Sequence, residues 1–237
     1  MRFTFRFRWI PFVAALAAAA IGIALGQWQT RRALEKEAIE ARMVAREAAP
    51  PLSLAAAMPG GGDMEYRHAI LRGEFVRDWP LYLDNRPYHG AAGFYVLMPF
   101  RLVASDQYVL VARGWVQRDV ADRTRLPVIA TPAGMTEIEG RLQRNPGHVL
   151  QLGRAEPLHP GAIVQNVDLR EFAEASKLPL APLMLEQLND MHDGLIRDWP
   201  RPSSGADRHR GYAFQWYALA ATAMIFFVVT GFRRGTK

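Results

Sequence analysis

The chain contains no cysteine. That excludes a disulfide framework, thiolate catalysis, a thiol-ligated copper centre and covalent haem attachment through a C-x-x-C-H motif. Serine is scarce: Ser53, Ser105, Ser176, Ser203 and Ser204 are all there are, and none lies in a G-x-S-x-G elbow. A Gly-rich phosphate loop following a strand, an H-E-x-x-H helix and an internal repeat are missing too. A hydrolase would need a nucleophile beside a base, and no spacing here favours one. Asp84 near His89, and Asp119 with Asp122, read as turn and solvated-loop residues. The chain is not expected to be an enzyme.

What is present is concentrated apolar sequence. The mean hydropathy of −0.08 looks soluble, but two stretches carry no charge at all, Trp9 to Leu25 and Gly211 to Phe232. At 1.5 Å per helical residue the second spans about 33 Å, enough for a hydrocarbon core of about 30 Å. The first covers about 25 Å, so Gln27 and Trp28 are expected to carry it into the interface. Trp9 and Trp28 then mark opposite headgroup layers, and Tyr212, Trp216 and Tyr217 form an aromatic belt. A cleaved signal peptide, with Arg2, Arg6 and Arg8 as its basic region, is the alternative for the first segment. Two features weigh against it. The polar sequence GQWQTRRALEKEAIEARMVAREA continues with helical periodicity and no break, and a second span stands at the far end.

The expected organisation is therefore a membrane α+β protein. Residues 1–8 form a cytoplasmic tail, 9–28 a first transmembrane helix, 29–210 an extracytoplasmic domain, 211–232 a second transmembrane helix and 233–237 a second cytoplasmic tail. Short basic flanks (Arg2, Arg6, Arg8; Arg233, Arg234, Lys237) favour the cytoplasmic side, while a long domain is translocated despite its charge. The inner flanks Arg31, Arg32, Lys36, Arg208 and Arg210 are basic too, which weakens the asymmetry.

Within the domain, Arg31 to Arg46 reads as a charged helix with i, i+4 pairs. Pro50, Pro51 and Pro59-Gly60-Gly61-Gly62 read as a loop. Strands are predicted at Tyr66–Phe75, Leu81–Asn85, Gly93–Arg101, Tyr108–Val116, Thr136–Gln143, Ala162–Val167 and Leu183–Leu188. Turn chemistry separates them at Asp84–Pro87, His89-Gly90 and Asn145-Pro146-Gly147. One helix, Leu169 to Lys177, is capped by Asp168 with Glu171 completing a capping box, and Pro179 stops it. Short strands linked mostly by turns give a mainly antiparallel β domain, a sheet or partial barrel, with a few helices.

The net charge of +6 invites a nucleic-acid reading. Six of the basic residues belong to the membrane tails, and the other arginines are interspersed with acids, so no nucleic-acid partner is expected. Among the histidines, His68 lies in a strand, His89 in a turn, and His148, His159 and His192 in polar loops, where structural or surface roles fit best. His209 stands apart, three residues before Tyr212 at the entry of the second span. Imidazole is a common axial haem ligand, and Arg208 and Arg210 could pair with carboxylates such as propionates. From the residues alone, an ordinary interfacial histidine remains the preferred reading.

Six segments, in order, carry a family resemblance: GQWQTRRALEKEAI, YRHAILRGEF, LYLDNRPYHGAAGFYVLMPF, VLVARGWVQRD, NVDL and RHRGYAFQWYALA. With the two-anchor layout, the chain resembles the surfeit locus protein 1 family of cytochrome c oxidase assembly factors. The resemblance implies two transmembrane helices around an extracytoplasmic domain in the cell inner membrane. It implies a non-enzymatic, chaperone-like role in building haem-copper oxidase, with haem a bound transiently and delivered to, or inserted into, the catalytic subunit. It suggests His209 as the haem a ligand; Tyr212, Gln215 and Trp216 match the aromatic segment that follows, and with Arg208 and Arg210 they are the expected neighbours of the cofactor. Tyr217 belongs to the same aromatic segment. Partners implied are the oxidase catalytic subunit, haem A synthase and membrane lipid. Gln27, Trp28 and Arg31 match the motif at the first span and are assigned helix packing. Gly90, Gly93, Arg113 and Gly114 also fall in family motifs, the glycines serving tight turns or close backbone approach. The loop RNPGHVLQLGRAEPLHPG departs from the family pattern. A scaffold that stabilises an oxidase intermediate without carrying haem is the alternative function. A sensor would need an output domain, for which the tails leave no room.

Overall fold

Trp9–Glu47 forms one uninterrupted helix, α1, of 39 residues, so the apolar run and the charged run that follows it are one element, as their unbroken periodicity predicts. The computed structural model describes residues 3–54, 64–103, 105–122, 124–150, 156–200 and 205–234. The predicted loop at Pro59–Gly62 lies outside them. Pro11 sits in the first turn of α1, where its missing N–H removes no intrahelical bond. The helix ends just ahead of Pro50-Pro51. The chain divides into two compact units: Met1–Arg42 with Pro202–Lys237, and Met43–Arg201.

The first unit pairs α1 with α3, Ala206–Gly231. Both are long and apolar enough to cross a membrane, and little of either apolar stretch is buried. A helix in a soluble core would be mostly buried; these instead expose Ile10, Phe214, Ile225 and Val229. The buried residues of α1 are Ala15, Ala19, Gly22, Gly26, Gln29 and Ala33, spaced alternately by four and three. Those of α3 include Ala206, Ala213, Ala220 and Phe227, spaced by seven. Small residues at this repeat let two helix backbones approach closely, which is how helices associate where lipid removes the hydrophobic drive. Helix α3 begins five residues (211 − 206) ahead of the charge-free run, so His209 lies on the helix rather than in a flank before it. At the other end, β1 (Phe3–Phe5) pairs antiparallel with β10 (Phe232–Arg234), and Phe5, Phe7, Trp9 and Phe12 cluster edge-on or tilted about one another and Phe227.

The second unit is a closed barrel. β3 (His68–Phe75) pairs antiparallel with β7 (Thr136–Gln143) and, at its far end, with β5 (Gly93–Leu102). β5 pairs antiparallel with β6 (Tyr108–Gln117), β6 parallel with β9 (Met184–Gln187), and β9 antiparallel with β7. β2 (Leu52–Leu54) joins β3 in parallel, and β4 (Leu81–Leu83) joins β5, carrying β8 (Ile163–Val164). The mainly antiparallel sheet is as expected, and closure through β3–β5 turns the partial barrel into a complete one. One face of the five strands fills the interior with Leu71, Phe100, Val111, Ile138 and Leu185, among others. β3 alternates buried and part-exposed residues, whereas β5 and β6 are buried almost throughout. Their outer faces are covered by a second cluster including Leu83, Val164, Phe172 and Trp199, so both sides of those strands had to be apolar.

Several predicted ends move for local reasons. Tyr66 and Asn85 adopt positive φ of 68° and 60°, which trims the strands expected to begin at Tyr66 and to end at Asn85. The strand expected over Ala162–Val167 shrinks to two residues, those paired to β4. The turn at His89-Gly90 has φ of 46° and 82°, with Tyr88 and Ala91 exchanging backbone bonds of 3.0 and 2.9 Å, the geometry of a two-residue hairpin. β1, β2 and β10 were not expected.

Helix α2 (Leu169–Ser176) is capped as predicted. The Asp168 carboxylate accepts from the backbone N–H groups of Arg170 and Glu171. Its stop is Lys177 in the left-handed region at φ 58°, two residues before Pro179. Phe172 is the buried residue by which α2 covers the barrel. Asp168→Ala should cost about 1 kcal/mol, the usual value of such a cap. Chemical denaturation of the detergent-solubilised protein measures it, and a loss near zero would show that Phe172 alone holds α2.

Candidate functional site at the paired helices

His209 occupies the first turn of α3 and is half-buried. Its Nδ1 lies 2.7 Å from Oε1 of Gln29 on α1. Gln29 is 9% exposed and is the polar member of an otherwise Ala and Gly seam. Facing an amide oxygen, a neutral imidazole donates from Nδ1 and keeps its lone pair on Nε2. Among the described residues, no three His, Asp or Glu side chains converge as a metal site. The donor set here is one imidazole nitrogen. That suits an ion whose equatorial positions are already filled by a macrocycle, and does not suit a bare cation, which draws several protein ligands.

The neighbours expected around His209 are placed unevenly. Trp216, seven residues on, stands on nearly the same line of α3 and is half-buried. Tyr212 lies one turn along and is 48% exposed. Gln215 is exposed and turned about 120° from His209 around the helix, so the two side chains do not converge. Arg208 is exposed. Arg210 is 64% exposed and pairs at 2.8 Å with Glu37 of α1, itself 31% exposed. Of the first-span motif, Gln27, Trp28 and Arg31 are exposed on α1. Tyr217 packs its ring against Gly26.

Two turns deeper lies an apolar groove of about 530 Å³ between the helices, lined by Ala18, Ile21 and Gly22 of α1 and Trp216, Leu219 and Ala223 of α3, among others. Gly22 precedes Gln29 by seven residues, and Trp216 follows His209 by seven. The groove therefore continues the faces that bring Gln29 and His209 together.

The remaining candidates belong to the barrel unit. Gly93 backs onto the Trp115 indole, where a Cβ would collide with the ring. Arg113 is wholly buried and ion-paired with Asp193 at 2.7 Å. Burial draws its pKa below the ordinary arginine value, and Asp193 opposes that shift. His68 faces Glu139 across β3 and β7 at 3.3 Å, and His89, His148, His159 and His192 are exposed. These are the structural and surface roles expected of them. Part of the loop that departs from the family pattern, residues 151–155, lies outside the described residues.

Gln29 is the site residue missed in the sequence. The available signal was its position: it continues the series Ala15, Ala19, Gly22, Gly26, whose other members are all small. A long amide in such a series has to find a partner on the facing helix.

Comparison with known proteins finds relatives along most of the chain. A 27% identical SURF1-like protein of Drosophila melanogaster aligns over 91% of this chain and 75% of its own. A SURF1-like protein of Rickettsia felis is 24% identical over 92% of this chain and 95% of its own. The cytochrome oxidase assembly protein SHY1 of Saccharomyces cerevisiae is 26% identical over 73% of this chain and 45% of its own. A sequence profile of the SURF1 family matches residues 16–221, running from within α1, through the whole barrel, to within α3. On that extent of match, the chain belongs to the SURF1 family.

Proposed function

We propose that this protein is a non-enzymatic membrane assembly factor for haem-copper oxidase that binds haem a through His209 and hands it on to the catalytic subunit. The observation that carries the haem assignment is the 2.7 Å contact between His209 Nδ1 and Gln29, which leaves Nε2 as a single oriented donor. The assembly role is supported by membership of the family and by the yeast relative's name as an oxidase assembly protein. His209 would hold the haem through its imidazole, and the group would supply the iron centre. Trp216 and the apolar groove offer the tail of such a molecule a lipid-facing surface. Arg208, exposed, is the better placed of the two arginines for a propionate, because Arg210 already holds Glu37. Tyr212 borders the same face. A single histidine at a half-exposed helix end would suit a carrier that must release its cargo. Both termini are read as cytoplasmic and the barrel as extracytoplasmic in the cell inner membrane, with haem A synthase as the donor.

The test is co-expression with haem A synthesis, followed by purification. The wild-type chain should retain haem a, and His209→Ala should lose most of it and shift the remaining spectrum. An unchanged spectrum and yield in the variant would remove His209 from this role. Colourless wild-type protein that still supports oxidase assembly would favour a scaffold without haem.

A further inference from the structure

We infer that Gln29 is a positioning residue for His209, its amide fixing the tautomer and ring orientation that make Nε2 the ligating nitrogen. This rests on the reading of His209 as a haem ligand. Six residues of α1 are buried at the seam with α3; five are Ala or Gly, and the sixth is Gln29. A buried amide among small apolar residues is costly unless its polar atoms are bonded. Here its Oε1 is bonded, at 2.7 Å, to an imidazole from a residue 180 positions away.

The bond acts on the ring in two ways. It holds the proton on Nδ1, so the lone pair is on Nε2, and it limits rotation of the ring about its own side-chain torsions. Histidine ligands are generally held in this manner by a partner on the second nitrogen, and losing that partner typically weakens metal binding 10–100-fold. The partner's chemistry also sets donor strength. A carboxylate opposite Nδ1 would draw the proton toward itself and make Nε2 a stronger donor; an amide orients the ring without that push. Neutral Gln29 thus gives a held but modest ligand, which matches a protein that releases its haem.

The experiment uses the full chain, co-expressed with haem A synthesis, as wild type, Gln29→Leu, Gln29→Glu and His209→Ala. Gln29→Leu should weaken haem a retention by about 10–100-fold and broaden the spectrum as the ring loses its orientation. Gln29→Glu should keep haem a, slow its release to apo-acceptor protein and lower the reduction potential of the bound haem. Were both Gln29 variants to match wild type in retention, spectrum and potential while His209→Ala lost haem, the positioning role would be overturned and the haem reading would stand. The haem-free protein separates the two claims further through nitrogen NMR of His209. A proton on Nδ1 in wild type that moves to Nε2 in Gln29→Leu supports the role of Gln29; the same tautomer in both overturns it. Wild-type protein that takes up no haem a, yet shows that tautomer change, overturns the haem reading alone.

Discussion

Replacing Asp193 with alanine should destabilise the barrel unit by about 3–5 kcal/mol, the range found when one partner of a buried ion pair is removed. One oxygen, Oδ2, accepts from Arg113 at 2.7 Å and from Arg197 at 2.6 Å. The side chains of Arg113, Asp193 and Arg197 are 0%, 2% and 6% exposed, so water cannot replace the lost carboxylate. Without it, buried Arg113 loses its carboxylate partner, and Arg197 beside it keeps only one carboxylate, that of Asp190, exposed, at 3.3 Å. Arg113 keeps other contacts: it donates to Thr131 Oγ1 at 2.6 Å and to the Ala130 carbonyl at 2.8 Å, and its guanidinium lies 4.7 Å from the Phe75 ring centre. Among the described residues, the Nε atoms of both arginines are already buried without a partner, so there is little slack for rearrangement. Arg113→Met should cost less, about 2 kcal/mol, because Asp193 retains Arg197 and only charge-assisted bonds are lost. Urea denaturation of the solubilised protein, followed by tryptophan fluorescence, reads both, since Trp115 and Trp199 are buried in this unit. A loss below about 1 kcal/mol for Asp193→Ala would mean that the two arginines find other acceptors.

Gly22→Leu should part the two helices. A Cβ at Gly22 would lie 2.9 Å from the Cβ of Ala220 and 2.9 Å from the backbone oxygen of Trp216. Neither is the end of a flexible side chain, so the helix axes themselves must move. Overpacking of this kind costs about 1–3 kcal/mol, and a larger separation would break the Gln29–His209 bond seven residues along α1. Gly26→Ala is a useful contrast. Its Cβ would meet the ring of Tyr217 at 2.6 Å, but that side chain is 38% exposed and can swing aside, so the loss should be smaller. The natural lack of cysteine allows spin labels to be placed on single cysteines at Ile10 and Val229, both exposed. Gly22→Leu should widen their distance distribution and lower the thermal midpoint. An unchanged distribution would show that the seam tolerates a branched side chain.

Much of this architecture could be read from the residues because it follows local rules. Charge-free runs mark α1 and α3, and the unbroken period past Gln27 gives the full length of α1. Asp168 marks the start of α2, and His89-Gly90 marks a hairpin. The parts that could not be read depend on partners distant in the chain. β3 turns to β5 only at Gly73–Phe75, and nothing within either segment encodes that closure. β8 is short because only Ile163 and Val164 meet β4. His209 could be singled out as an imidazole at a membrane entry, but Gln29 gains its meaning from a helix 180 residues later. Gln215, adjacent to Trp216 in sequence, is carried to another face by the helical turn.

The small-residue seam of α1 also has a history within each molecule. Its mate α3 starts 159 residues after α1 ends (206 − 47). At about 5–20 residues per second, the ribosome takes roughly 8–30 s to make the intervening chain. All five barrel strands are complete at Gln187, 19 residues before Ala206, so the barrel can close first while α1 waits alone in lipid with Gln29 unmatched. Pairing of the helices, and with it the His209 contact, is then the last event of assembly. A nascent chain would gain the Gln29–His209 contact only once synthesis has passed the barrel.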